Sequence, residues 1–222
     1  MSETVATGKP ELALREQFYT TEQQREATTL GMWVFLASEV MFFGGLFLAY
    51  TVYRSGHAIA FDQASRDMSV ILGGMNTAVL ITSSFTMALA VHAAQRGHTR
   101  ALGWFLLATI LIGLVFLGIK FTEYLQHYWE HKAPGLDFQT NLTDPGAVEM
   151  FFVFYFLMTM LHAVHMIVGI GLLTVLLLRT GLLTLGRDYH SPVVITGLYW
   201  HFVDIVWVFL FAIFYLPGLH LR

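Results

Sequence analysis

Hydrophobic residues in this chain fall into five long blocks, and polar residues collect between them. None of the blocks alternates apolar with polar positions, as the strands of a membrane barrel would. An unbroken apolar run of about 20 residues, rising about 1.5 Å per residue as a helix, crosses a hydrocarbon core about 30 Å thick. The pattern predicts an all-α polytopic membrane protein, a bundle of five transmembrane helices over about 30–53, 68–93, 101–124, 148–178 and 193–215. Residues 1–26 read as a polar tail with room for a short surface helix from Glu11 to Glu26, and 27–222 as the transmembrane domain.

The boundaries carry their own signals. Asp67 or Ser69 can cap the second helix. Asp144-Pro145 and Ser191-Pro192 each place a proline in a first turn, where its missing N–H does no harm. Pro217-Gly218 stops the last helix. Arg54 to Asp67 reads as a polar loop, and His127 to Pro145 as a long connection. Neither an internal repeat nor an even helix count is visible, which disfavours a two-fold transporter.

Orientation follows from Lys and Arg outside the spans. Lys9, Arg15, Arg25, Arg96, Arg100, Arg179 and Arg187 fall on one side, and Arg54, Arg66, Lys132 and Arg222 on the other. The bias puts the N-terminus in the cytoplasm and the C-terminus outside. Composition agrees with a membrane protein: 56% of residues are hydrophobic and only 12% are charged, about half the share in soluble domains. A net charge of −3 gives no nucleic-acid footprint. With no cysteine, disulfides, thiolate metal sites and thiol nucleophiles are excluded.

Polar residues inside the apolar blocks are the candidate chemistry, because each is expensive in hydrocarbon. In the first block Glu39 lies roughly 13 Å from Leu30, followed by Gly44 and Gly45, which would let a neighbouring helix approach. It reads either as a proton-linked or lipid-facing carboxyl, or as a neutral acid bonded between helices. The second block holds Asn76, Thr77, Thr82, Ser83, Ser84 and Thr86, best read as packing residues. Lys120 and Glu123 are three apart and can pair, with stems long enough to reach the interface. His162 and His165 share a helix face with Gly169. Two histidines alone make a poor metal site, and an interhelical hydrogen-bond network is the better reading. His201 and Asp204, again three apart, can bond directly. No serine or cysteine is placed as a nucleophile for hydrolysis.

The motifs carry a resemblance. Gly31-x-Trp33-x-Phe35-x-x-Ser38-Glu39-Val40-x-Phe42-Phe43, Asn76-Thr77 with His92, Glu123-Tyr124, His162-x-x-His165 and Tyr199-Trp-His-Phe-Val-Asp204-x-Val-Trp207 occur in one order over about 30–215. Together they resemble subunit III of the heme–copper terminal oxidases, in a five-helix bacterial-type form without the first two helices of the seven-helix members. The resemblance implies a non-catalytic subunit of a proton-pumping cytochrome c oxidase in the bacterial cytoplasmic (inner) membrane. It implies no cofactor on this chain, heme and copper on partner subunits, and bound phospholipids. Subunit I is the direct partner it implies, with subunit II and a small subunit IV as further candidates. Glu39 matches the family's buried, carbodiimide-reactive glutamate, while Glu123, His162, His165, His201 and Asp204 match its interhelical network. Glu39, Trp33 and Arg179 are the lipid-binding candidates. A quinol oxidase, a nitric-oxide-reductase-associated relative, a stand-alone proton channel or carrier, and a metalloenzyme built on His162 and His165 remain as alternatives.

Overall fold

The computed structural model describes residues 19–135, 138–142, 144–182 and 190–218. It contains helices α1 (Thr21–Gly56), α2 (Ala58–Arg66), α3 (Val70–Gln95), α4 (Thr99–Trp129), α5 (Pro145–Leu182) and α6 (His190–Tyr215). All but α2 are long and apolar enough to cross a membrane. The first half of the tail helix expected over Glu11–Glu26 lies outside the described residues, and from Thr21 its second half is the start of α1; the whole connection between α5 and α6, residues 183–189, also lies outside them.

Local chemistry sets the helix ends. Thr20 caps α1 by accepting from Gln23 N at 3.1 Å. Ser69, rather than Asp67, caps α3. At α5 the Asp144 carboxylate accepts from Ala147 N at 3.2 Å, with Pro145 as the first helical residue. Helix α6 begins at His190 and carries Pro192 in its first turn. Between α3 and α4, Gly97 adopts φ +72°. His98 N bonds Ala93 O and Gly97 N bonds Ala94 O, the pairing of a Schellman stop, so a short turn reverses the chain.

Helices α3, α4, α5 and α6 pack in a closed ring, each against the next and α3 against α6. Helix α1 stands outside the ring, against α6 and α5. The ring is filled by aromatic rings, with Phe116, Phe151, Tyr155, Trp200, Trp207 and Phe214 all buried. Trp200 links three helices. Its Nε1 donates to Ser83 Oγ on α3 at 3.0 Å. Its ring lies so close to Gly113 on α4 and Gly169 on α5 that a Cβ at either would come to 2.9 or 3.0 Å of it. Glycine at these two positions is therefore a packing requirement.

Three expectations change. The segment expected as a polar loop after α1 folds as α2, a short amphipathic helix. It buries Ala60, Phe61, Ala64 and Ser65, and Arg54 pairs with Asp62 at 2.8 Å on its polar side. Ser65 Oγ donates to Phe214 O and accepts from Gly218 N, which fixes α2 over the end of α6. Second, α4 runs on to Trp129, so His127 is a buried helical residue against Phe152, Tyr155 and Phe156 instead of the start of a loop. Third, a Cβ built at Gly44 or Gly45 would meet nothing within 4 Å, so no neighbour closes on them among the described residues.

Candidate functional site within the bundle

Glu39 sits at the centre of the span Glu22–Gly56. Its Oε2 lies 3.2 Å from Nε2 of His165 on α5, with both side chains mostly buried. The other ring nitrogen, Nδ1, lies 2.7 Å from Leu161 O. A carbonyl can only accept, so Nδ1 carries a hydrogen. Nε2 is therefore the ring nitrogen turned toward the Glu39 carboxyl, and the contact gives a polar side chain of α1 a partner on α5. The Tyr199 hydroxyl donates to His165 O at 3.0 Å and braces the same turn. The pair borders a cavity of ≈ 410 Å³ whose other walls include Met32, Phe35 and Thr196. Trp33 and Arg179 do not line it, and both project outward from their helices.

Lys120 and Glu123 pair at 2.9 Å deep within the bundle. Neither reaches an interface, since their side chains are only 3% and 4% exposed. The ammonium also donates to the hydroxyls of Tyr155 at 2.9 Å and Tyr215 at 3.0 Å, so its three hydrogens are all matched. Tyr215 donates in turn to the second oxygen of Glu123. The Trp207 ring lies 5.0 Å from the Lys120 ammonium and adds a cation–π contact. A low-dielectric setting strengthens every link of this network and raises the cost of breaking one.

His162 and His165 follow different courses although they share a helix. The His162 ring packs between Phe116 and Trp207, with centroids at 5.6 and 5.3 Å. Neither of its nitrogens has a hydrogen-bond partner among the described residues. His201 does not bond Asp204 as the spacing suggests. Its Nδ1 lies 2.7 Å from Ser84 Oγ on α3 instead; the same hydroxyl is the near neighbour of Asp204, whose buried oxygens have no partner in good hydrogen-bond geometry among the described residues. No three His, Asp or Glu side chains converge on a metal-sized position among the described residues.

The hydroxyls of α3 behave mostly as packing residues. Thr77, Thr82 and Thr86 donate back to Gly73, Ala78 and Ser83 carbonyls. Thr77 also accepts from Trp207 Nε1 at 3.1 Å. Sequence reasoning did not single out Tyr155 or Tyr215 as polar partners, and it read Ser84, which bonds His201, as a packing residue. A tyrosine in a fully apolar stretch was the available signal, because its hydroxyl needs a partner there.

Outside the spans, Lys132 bridges Glu130 at 2.8 Å and Asp67 at 3.3 Å, tying the connection after α4 to the end of α2. The hydrogen bond from Lys132 holds the Glu130 carboxyl below its ordinary range. Partial burial works against the charge on Lys132, but its bond to Glu130 and the nearby Asp67 carboxylate outweigh it and raise the ammonium above its ordinary range.

Comparison with known proteins places this architecture. The profile of "Cytochrome c oxidase subunit III" matches residues 15–219. Quinol oxidase subunit 3 of Bacillus subtilis (strain 168) is 31% identical over 86% of this chain and 87% of its own length. Probable cytochrome c oxidase subunit 3 of Nocardia farcinica is 30% identical over 96% of this chain and 98% of its own. Cytochrome c oxidase subunit 3 of Alkalihalophilus pseudofirmus is 31% identical over 85% and 86%. The chain, a multi-pass membrane protein, belongs to the cytochrome c oxidase subunit III family.

Proposed function

We propose that this chain is subunit III of a proton-pumping terminal oxidase that reduces O2 to water with electrons from cytochrome c. It packs on subunit I in a bacterial inner membrane, with its N-terminus cytoplasmic. The observation that carries the reading is the family match across the whole ring together with α1. Heme and copper reside on partner subunits. Three histidines within the spans have other occupations: His165 bonds Leu161 and Glu39, His201 bonds Ser84, and His162 is packed between rings.

In that complex the chain acts as a scaffold that sustains proton uptake by its neighbour and holds lipids. Glu39 and His165 tie α1 to α5 at mid-membrane. Glu39 lies too deep for a headgroup and meets acyl chains, whereas Arg179, exposed near the end of α5, holds a lipid phosphate in this reading. A quinol donor is the second reading, favoured by the Bacillus subtilis relative, whose identity equals that of the Alkalihalophilus protein.

The test is affinity purification from native membranes in mild detergent, followed by an optical spectrum and turnover with reduced cytochrome c or a quinol. The reading expects heme-bearing chains that co-purify and oxidise cytochrome c. Turnover with quinol alone would select the second reading, and an isolated chain without heme-bearing partners would overturn both.

A further inference from the structure

Two acid–histidine couples lie at mid-membrane, and only one is closed. Glu39 and His165 satisfy each other. Asp204, at the centre of the span Pro192–Tyr215, has both oxygens buried, with the Ser84 hydroxyl beside them and no partner in good hydrogen-bond geometry among the described residues. His201 gives one nitrogen to Ser84, and its Nε2 has no partner there either. Both residues border the same open groove, a cavity of ≈ 450 Å³ between α3 and α6.

The groove has the shape of a helix seat. On α3 it is walled by Thr77, Ile81, Ser84 and Ala88, spaced three or four residues apart. That row runs along the helix axis for about 16 Å. Ser84 and Ala88 are small enough for a neighbouring backbone to come close. On α6, Ile205 flanks the polar floor and, like Ile81, is more than half exposed. Depth then selects the occupant. Phospholipid headgroups end well short of a bilayer centre, and acyl chains carry no hydrogen-bond donor. An unmatched carboxyl or imidazole in hydrocarbon costs several kcal/mol on transfer scales.

We propose that the α3–α6 groove seats a transmembrane helix of a partner oxidase subunit, which brings a hydrogen-bond donor side chain to Asp204 and His201 at mid-membrane. This rests on the reading of the chain as an oxidase subunit, and it names the face through which the chain is held. The donor is a serine, threonine, asparagine, tyrosine or tryptophan of the incoming helix. It meets the outer nitrogen of His201, or the Asp204 carboxyl after a side-chain turn toward the groove.

The test uses the whole complex. The photoreactive residue p-benzoylphenylalanine replaces Ile81 or Ile205 in the groove and, as controls, Met41 on α1 or Leu111 on α4, both exposed. After irradiation in membranes, the complex is purified and cross-linked peptides are sequenced. Ile81 and Ile205 are expected to join a transmembrane segment of a co-purified heme-bearing complex. Asp204→Leu should lower retention of those chains in stringent detergent by about fivefold or more, with Asp204→Asn restoring most of it. Cross-links confined to Met41 or Leu111 would overturn the proposal. So would groove cross-links to a lipid, a quinone or a second copy of this chain, or full retention with Asp204→Leu. If the unsubstituted chain purifies without heme-bearing partners, the subunit reading itself fails, and the groove proposal falls with it.

Discussion

Replacing Lys120 with methionine isolates the most tightly built feature of the bundle. The substitution keeps the length of the stem and removes the charge. It takes away bonds of 2.9 Å to Glu123, 2.9 Å to Tyr155 and 3.0 Å to Tyr215, and the contact with Trp207. Glu123 is then left buried with only the Tyr215 hydroxyl as donor among these partners. Breaking a buried pair from one side costs about 3–5 kcal/mol, most of it the penalty of the stranded charge. Lys120→Met with Glu123→Leu removes both charges. The Tyr155 and Tyr215 hydroxyls, 3.4 Å apart, can then bond each other. The double variant should therefore be more stable than Lys120→Met alone, with a coupling of about 2 kcal/mol or more between the two positions. The assay is denaturant unfolding of the purified chain in detergent micelles, followed by helical circular dichroism across the four members of the cycle. A cost below about 1 kcal/mol for Lys120→Met, or a double variant as unstable as the sum of the singles, would refute this account of the network.

Glu39→Gln should preserve the fold, because the amide can donate to His165 Nε2. Glu39→Leu strands that nitrogen and should cost about 1–3 kcal/mol by the same unfolding assay, and equal stability of the two variants would count against this bond. Gly113→Ala combined with Gly169→Ala should lower the melting midpoint, since Trp200 is pressed from both sides and held by Ser83. Overpacking at about 1–3 kcal/mol per site exceeds the helix-propensity gain of about 1 kcal/mol, and an unchanged midpoint would show that Trp200 can move. The Lys132 clamp predicts a flat stability profile between its two titrations. Glu130, depressed from 4.5, contributes above that value and loses its share as pH falls through its folded value. Lys132, raised from 10.5, contributes below that value and loses its share as pH rises through its folded value. At this half-exposed site the effect should be about 0.5 kcal/mol, and Lys132→Met should remove the alkaline limb and shrink the acid one in a thermal melt against pH.

The sequence was most legible where chemistry is local. Apolar run length located the five spans, and Asp144-Pro145 and Ser69 marked helix starts that the structure retains. The pairing of Lys120 with Glu123 could be read from their spacing within one helix. Helix α2 was hidden because its polar residues face out and only Phe61 and small residues turn inward, so its composition resembles a loop. The same spacing rule that found Lys120 and Glu123 misassigned His201 and Asp204. Spacing permits a contact, but the tertiary neighbour decides it, and Ser84 comes from a helix more than a hundred residues earlier in the chain. The bond between Glu39 and His165 was out of reach for the same reason: each residue advertises a need, and neither names its partner.

His162 decides between a scaffold and a conduit. A proton path through the ring would have to link Glu39–His165 with Lys120–Glu123. His162 is the titratable residue one turn from His165, and it touches the Trp207 ring that also faces Lys120. Proton relay needs hydrogen-bonded neighbours, yet both His162 nitrogens lack partners among the described residues, and Phe116 and Trp207 cover its ring. The side chain is packed as an aromatic. His162→Phe keeps the ring contacts and removes two buried polar atoms, so stability should stay level or rise. Oxygen reduction and proton uptake by the purified complex should be unchanged. Loss of proton uptake with assembly intact would show that His162 carries protons and would overturn the scaffold reading of the ring. With that link silent, Glu39–His165 and Lys120–Glu123 act separately, each stabilising contacts between helices.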